Sequence, residues 1–456
     1  MQDSTLLRPL LVAALSLGAL ASPAAAQEPQ ILSSADVKTL NRKAAEWFDA
    51  WMKYEFDADT PKARRSANSK LQKAREAFLK DWDAKSRKAD PMASSVDIRA
   101  VFAGAFPYER QSASGVLKTV SSSDGQPGYS VMLPKRYDAA QAYRTVLCLP
   151  GFDQAKSRWV DPKDHYAATW AGSTLGEDTV VMLPELDAGL ELDSQPDFSK
   201  PTAEAEEVAR LSAVLGAAGV VQREFHVDRE RLLLDAGDGS SAFAIRLASY
   251  FPNRFAGLIL RRPTDITKEL RLGSLYGVPI LLVSSAETKD ACDALAKALN
   301  AGGVEGCKVI EAQGAYPFAE SQAEIDAWVA EVRRNLTPTK IVLEPNHDAF
   351  NDAYWVRLGK TESLLGKPAD EMPRFVIEAD KEANRIKVES RGVSDFSLLL
   401  NDDIVDLSKE FTVEVNGVLF KEKRDRNFNF MVDQMLENFD PSWVFSASFA
   451  TVVEQK

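Results

Sequence analysis

Residues 227–255 constrain the fold more than any other stretch of this chain. An apolar strand pattern at 231–236 runs through Gly237-Asp238-Gly239-Ser240 directly into a helix pattern at 241–250. The same alternation extends to both sides. Short apolar strands are predicted at 129–133, 145–149, 179–183, 256–260, 278–283 and 308–311, and helices at 203–218, 290–300 and 321–334. Strands that alternate with helices argue for an α/β fold, a doubly wound and mostly parallel sheet, here over residues 111–336.

The flanks have different textures. Residues 1–26 read as an export signal: Arg8 supplies positive charge, 10–21 is a short apolar run, and Ala24-Ala25-Ala26 is a small-residue cleavage site before Gln27. The run is shorter than the ~18 residues a membrane span needs, so a soluble periplasmic or secreted bacterial protein is expected, with no membrane span. Within 27–110, Val37, Leu40, Ala44, Trp47 and Trp51 recur at helical steps, as do Ala67, Leu71, Ala74, Phe78 and Trp82. Asp59-Thr60-Pro61 separates them, which predicts an N-terminal helical hairpin with a charged outer face. After a linker at 335–339, residues 340–456 turn to period-two patterns. Strands are predicted at 340–343, 353–358, 374–378, 385–389, 396–400, 411–415 and 443–453, with a helix at 428–438. Asn401-Asp402-Asp403 and Asn416-Gly417 are turn signals. This reads as a C-terminal β-rich domain, a sandwich with its own core.

Charge and rare residues exclude several function classes. The formal net charge is -12, and an acidic chain repels phosphate backbones, so nucleic acid is not an expected partner. The chain has 3 His, namely His165, His226 and His347, and 3 Cys, namely Cys148, Cys292 and Cys307. No spacing among them suggests a metal site, and no cofactor is implied. Cys148 lies in an apolar strand and reads as a buried hydrophobe. Cys292 and Cys307 flank one helix–strand step and are candidates for a disulfide in an oxidising compartment.

The turn at 237–240 has the make-up of a nucleophile elbow, in which small residues two before and two after the apex let strand and helix approach. With Asp238 at the apex those residues are Ala236 and Ser240; with Ser240 at the apex they are Asp238 and Ala242, a poorer fit. Here the chain resembles the α/β-hydrolase superfamily, in its exported esterase and prolyl-oligopeptidase-like branch. Val227, Asp228, Arg231, the strand 232–234, Pro252, Arg254 and Phe255 carry the likeness. Upstream, 129–134 with Tyr137 is similar to the family's opening strand, and Leu147-Cys148-Leu149-Pro150-Gly151-Phe152 to its oxyanion strand. Downstream, 353–356, 400–407 and 413–417 resemble a β domain attached to some bacterial members. The likeness spans residues from about 125 to 456.

What the resemblance implies for chemistry is mostly loss. The family's nucleophilic Ser falls on Asp238, and its His, expected in Gln313-Gly314-Ala315-Tyr316-Pro317, falls on Ala315. The acid position is Glu287 or Asp290, and the oxyanion amides are those of Phe152 and Gly239. Asp can serve as a covalent nucleophile, but a base must then resolve the ester. Ala315 offers none. His226 precedes the elbow strand and lies at the wrong sheet edge, His347 falls in the β domain, and His165 is the one alternative base. Asp238 otherwise reads as an acid held by the amides of the helix N-terminus. Three functions follow. The first is a pseudo-hydrolase that binds or scaffolds a small acyl or peptide-like ligand, or a protein met through the helical hairpin or the β domain. The second is an active esterase or peptidase using Ser240 or Asp238 with a relocated base. The third is a carbohydrate- or envelope-binding protein that works through its β domain, although Trp355 and Trp443 also read as core residues.

Overall fold

The structure, a computed structural model, describes residues 30–453 apart from 88, 112–113, 123–127, 154, 188, 198–199, 201, 264–270, 305, 346–347 and 363–369. Residues 1–26, expected to be an export signal, and His347 lie outside the described residues.

Two long helices open the chain, α1 (Ser34–Glu55) and α2 (Pro61–Ser86). The Ser33 hydroxyl accepts from the Asp36 amide and the Thr60 hydroxyl from the Ala63 amide, with Pro61 in the first turn of α2. These caps satisfy amides that no helical carbonyl can reach. The helices close with α3 (Ser95–Phe102) around Leu40, Phe48, Phe78, Ile98 and Phe102. The same cluster takes in Met431, Val432 and Met435 from a helix near the other end of the chain. The inner face of the hairpin is therefore covered by the C-terminal part of the protein, with Trp82 and Phe428 4.7 Å apart between ring centroids.

The central sheet has eight strands: β1 (Leu117–Val120), β2 (Tyr129–Met132), β3 (Tyr143–Leu149), β4 (Thr179–Pro184), β5 (Val227–Ala236), β6 (Gly257–Arg261), β7 (Ile280–Ser284) and β8 (Cys307–Glu311). Their spatial order is β1-β2-β4-β3-β5-β6-β7-β8. All neighbours pair parallel except β1 with β2 and β2 with β4. An antiparallel β2 followed by the β4-β3-β5 crossover is the strand order of the α/β-hydrolase fold. Alternate strand residues divide between two faces. Leu147, Leu234, Leu258 and Ile280 point to one, packed by α5 (Ala203–Glu224), α6 (Ser241–Tyr250) and α7 (Lys289–Ala301). Cys148, Leu233, Ile259 and Leu281 point to the other, with α8 (Gln322–Glu331) and the segment after α4 (Pro162–Ala168). Among the described residues no helix is long and apolar enough to cross a membrane.

Beyond the sheet, nine short strands form two layers. One joins Lys340–Leu343, Arg374–Asp380, Arg385–Arg391, Phe411–Val415 and Val418–Glu422; the other joins Asp352–Ala353, Val356–Leu358, Asp395–Leu400 and Ala447–Val452. Trp355, Phe375, Phe396 and Phe411 fill the space between them. Helix α9 (Phe428–Glu437) leaves this region to join the hairpin. Two details differ from expectation. The strand expected over 353–358 breaks at Tyr354, whose φ of 54 turns the chain. Arg385–Arg391 and Phe411–Val415 pair parallel, because the segment between them crosses to the other layer and returns. Cys148, Cys292 and Cys307 are all free thiols. The expected bridge is not formed, although Cys292 is near enough to Cys307 to help burial push its thiol up to about 11.

Trp355 is fully buried, and its indole N–H donates to the Pro338 carbonyl at 3.0 Å. Trp355→Ala should therefore lower unfolding stability by about 3–5 kcal/mol in urea titrations. Val452→Ala, at a site 72% exposed, should stay within about 0.5 kcal/mol of wild type. Equal midpoints for the two variants would contradict this core.

Candidate functional site

The strand-to-helix turn sits where predicted, but its apex does not. Gly239 has φ 82, the left-handed region that a side chain resists, whereas Asp238 is not among the residues with positive φ. Counted from Gly239, the residues two before and two after are Gly237 and Ser241. A Cβ on Gly237 would lie 2.3 Å from the Tyr316 hydroxyl and 3.1 Å from the Gly151 amide nitrogen. A Cβ on Gly239 would lie 2.8 Å from Cβ of Phe152. The elbow is thus one residue later than the Asp238 apex read from sequence, and its apex carries no side chain.

The amides expected to cradle an oxyanion are not a free pair. The Phe152 N–H donates to the Asp238 carbonyl at 2.8 Å, closing the loop after β3 onto the turn itself. The Ser240 N–H bonds the Gly237 carbonyl at 3.2 Å. The hydroxyls of Ser240 and Ser241 also donate to the Gly237 carbonyl, each at 3.1 Å, and both residues are buried. A serine nucleophile needs a base to take its proton. Here the acceptor is a peptide carbonyl, so among the described residues the alternative nucleophile Ser240 bonds to no activating base.

Asp238 points outward to a cation. Its carboxylate pairs with Arg262, whose own φ of 56 turns its side chain back over the turn. The guanidinium lies 4.9 Å above the Tyr316 ring, and its pKa is raised chiefly by the hydrogen bond to Asp238. The Asp238 amide donates to the Tyr316 hydroxyl at 2.9 Å. Helix α6 is capped by a different acid, Asp193, which accepts the Phe243 N–H at 3.0 Å and whose pKa burial raises. Asp238 is therefore held by Arg262 rather than by the helix amides, as sequence reasoning had it. Ala315 is exposed, and its neighbour Tyr316 is the residue that enters the elbow. Glu287 and Asp290 are both exposed at the start of α7. Glu287 acts on the site only through its charge on Arg262.

Beneath the turn lies a buried polar network. Asp235, in β5, is 1% exposed and Arg261, in β6, is 0% exposed. Arg261 Nη2 donates to Asp235 Oδ2 at 2.9 Å and to Gln322 Oε1 at 3.2 Å, and Nη1 to the Pro317 carbonyl at 3.0 Å. The Trp170 indole donates to Asp235 at 2.7 Å. Gln322 in turn donates to Asp326, which accepts from Ser173 and Thr174. His165 is buried in α4, and the charges that act on it are Asp235 and Arg261, not Asp238. Among the described residues no hydrogen bond joins its ring to Asp238 or Ser240. His226 lies at the other end of β5, with Nδ1 2.9 Å from the Ala139 carbonyl and its ring stacked on Tyr108. No group of described His, Cys, Asp or Glu is arranged to hold a metal. The residues that sequence reasoning missed are Arg262, Tyr316, Asp193 and the Asp235–Arg261 pair. The signal for the pair was present: an acid inside the apolar run 232–236, and Arg261 and Arg262 closing the run 256–260.

Burial pulls the His165 imidazole down to about 4, against about 6.5 in an unfolded chain. Between those values the unfolded chain binds the extra proton, so stability is present above about pH 6.5 and falls as pH drops towards 4. The slope approaches about 1.4 kcal/mol per pH unit. Urea midpoints at pH 7, 5.5 and 4.5 should show this loss in wild type and less of it in His165→Asn. Parallel curves for the two proteins would contradict a neutral buried imidazole.

No protein-family model matches the chain, and no curated protein matches it in sequence. Solved structures do align. A thermostable esterase matches over 48% of this chain and 63% of its own, at 15% identity and a TM-score of 0.38. An S-formylglutathione hydrolase from Staphylococcus aureus matches over 49% of this chain and 98% of its own, at 12% identity and a TM-score of 0.35. A ferulic acid esterase from the anaerobic fungus Anaeromyces mucronatus matches over 50% of this chain and 94% of its own, at 12% identity and a TM-score of 0.34.

Proposed function

We propose that this α/β-hydrolase-like protein is a catalytically degenerate member of its fold, exported to the periplasm or beyond, that acts by binding or scaffolding. The observation that carries the reading is the Phe152 N–H donating to the Asp238 carbonyl at 2.8 Å, beside an apex that is glycine. Acyl transfer in this fold requires a nucleophile, a base and free oxyanion donors. Gly239 supplies no nucleophile, Ala315 no base, and one of the two expected donors is taken by the chain. The ligand class is a small acyl or peptide-like molecule, or a protein partner reached through the charged outer face of the hairpin or through the β layers.

Hydrolysis of p-nitrophenyl acetate and of an aminoacyl p-nitroanilide should proceed no faster than in buffer, and Ser240→Ala should leave that rate unchanged. Turnover abolished by Ser240→Ala would make the protein a serine hydrolase. Turnover abolished by both Asp238→Asn and His165→Ala would make it an aspartate-nucleophile hydrolase with a relocated base.

Export rests on the apolar run at 10–21 and on Ala24-Ala25-Ala26. Intact-mass measurement of protein matured in a Gram-negative host should give a chain beginning at Gln27. Mature protein retaining Met1 would refute the assignment.

A further inference from the structure

A cavity of about 770 Å³ opens at the other end of the sheet, where the hairpin, the sheet and the C-terminal region meet. Its wall takes Trp51 from α1, Arg229 and Leu232 from β5, Arg254 from the turn before β6, and Trp443 from the segment before the last strand. Arg334, just past α8, completes it.

The lining carries five arginines and five acids, but they are not all matched in hydrogen-bonded pairs. Arg334 is bound to Asp440 at 2.8 Å, and both side chains are only 4% exposed. Asp440 is in this way already occupied, and its pKa is depressed by Arg334 and Arg229 against the effect of burial. Arg229 donates to Gln222 and lies 5.8 Å over the Phe439 ring. Arg254 lies 4.9 Å over the Phe251 ring. Among the described residues neither Arg229 nor Arg254 forms an ion pair. Of the five acids in the lining, Asp440 is bound to Arg334, Asp352 faces Arg357 at 3.9 Å and Glu437 accepts from Gln434 at 3.0 Å, while Glu55 and Asp433 line the cavity away from these pairs. Burial lowers the pKa of both Arg229 and Arg254; the charge of Asp440 opposes this at Arg229, and that of Arg334 adds to it at both. A guanidinium offers five N–H donors in a planar fork that suits carboxylate and phosphate oxygens. Two donors on the same wall also lack partners: the indole N–H of Trp443, a residue 5% exposed, and Arg334 Nε. Buried donors are normally satisfied. Aromatic rings flank both free arginines, so the space suits an apolar body behind an anionic head.

We propose that this cavity is a binding site for a small organic anion, a carboxylate or phosphate on an aromatic or acyl body, with its head on Arg229 and Arg254 and its body against Phe251, Phe439 and Trp443. The site is formed at the opposite edge of the sheet from the elbow, so it stands whether or not the elbow is catalytic.

Titration of the full chain with cinnamate, phenyl phosphate and inorganic phosphate, followed by calorimetry and tryptophan fluorescence, tests it. Cinnamate or phenyl phosphate should bind saturably, and neutral cinnamamide at least tenfold more weakly. Inorganic phosphate alone should bind more weakly than phenyl phosphate. Arg229→Met should weaken the anion at least tenfold. Gly219→Phe gives a second variant that leaves every charge in place. Gly219 lines the cavity, and a Cβ there meets only Arg223 Nη1 at 3.7 Å, so the ring should fill the space and abolish binding while unfolding stays cooperative. No saturable binding by any of the three anions overturns the proposal. So does equal affinity for cinnamate and cinnamamide, or full affinity in a folded Gly219→Phe variant.

Discussion

The Asp235–Arg261 ion pair governs the geometry of the elbow end of the sheet. Both groups sit on adjacent parallel strands with essentially no exposure. A buried pair is weak evidence for stability in itself, because desolvation of two ions consumes most of their attraction. Losing one member is another matter: the charge left behind costs about 3–5 kcal/mol. What the pair supplies here is position. Arg261 reaches from β6 to Gln322 at the start of α8 and to the Pro317 carbonyl. Asp235 receives the Trp170 indole from the segment after α4. Three separate chain segments are thereby fixed against one strand end, and one of them carries Tyr316.

Tyr316 then decides what the elbow can be. Its hydroxyl accepts the Asp238 amide and lies where a Cβ on Gly151 or Gly237 would fall. Small residues at those two positions make room for the phenol, just as small residues around an active elbow let strand and helix approach. The phenol's pKa is raised by burial, so at neutral pH it stays protonated and takes no proton from a neighbour. Above it Arg262 neutralises Asp238. The turn's charge and several of its donors are thus met by groups of the chain itself.

Much of this was legible in the sequence, and the misses have physical causes. Period-two runs and helical periods located the strands of the sheet, because alternate residues really do face two covered layers. The elbow was found from its small residues. Its apex was misplaced by one because Ala236 with Ser240 and Gly237 with Ser241 satisfy the same size rule; only φ at Gly239 separates the frames. Arg262 went unread because its role depends on a left-handed backbone, which sequence seldom announces for arginine. Tyr316 carries no sequence signal of its own, because the family pattern marks only its neighbour Ala315, where an imidazole is missing. In the C-terminal layers the strands were recognisable but their pairing was not. The parallel match of Arg385–Arg391 with Phe411–Val415 depends on a partner outside both segments. The hairpin's partner α9 was likewise out of reach, since Trp82 and Phe428 lie 346 residues apart in sequence (428 − 82) although their rings meet in space.

The two ends of β5 make opposite compromises. At the C-terminal end the Phe152 and Ser240 amides and the hydroxyls of Ser240 and Ser241 have all found acceptors within the chain, and the space is filled by a phenol and a phenylalanine. At the N-terminal end three parts of the protein converge on one strand, and their surfaces do not close: among the described residues two arginines have no carboxylate at hydrogen-bond distance, and ring faces, a glutamine and the charge of Asp440 act on them. Burying cations without partners is unfavourable, and an arginine has no neutral form to retreat to at physiological pH. Sequence changes to a shorter or neutral side chain would relieve that cost at once. That cost falls on Arg229, which is only partly exposed and has no carboxylate at hydrogen-bond distance among the described residues, and much less on Arg254, which is exposed.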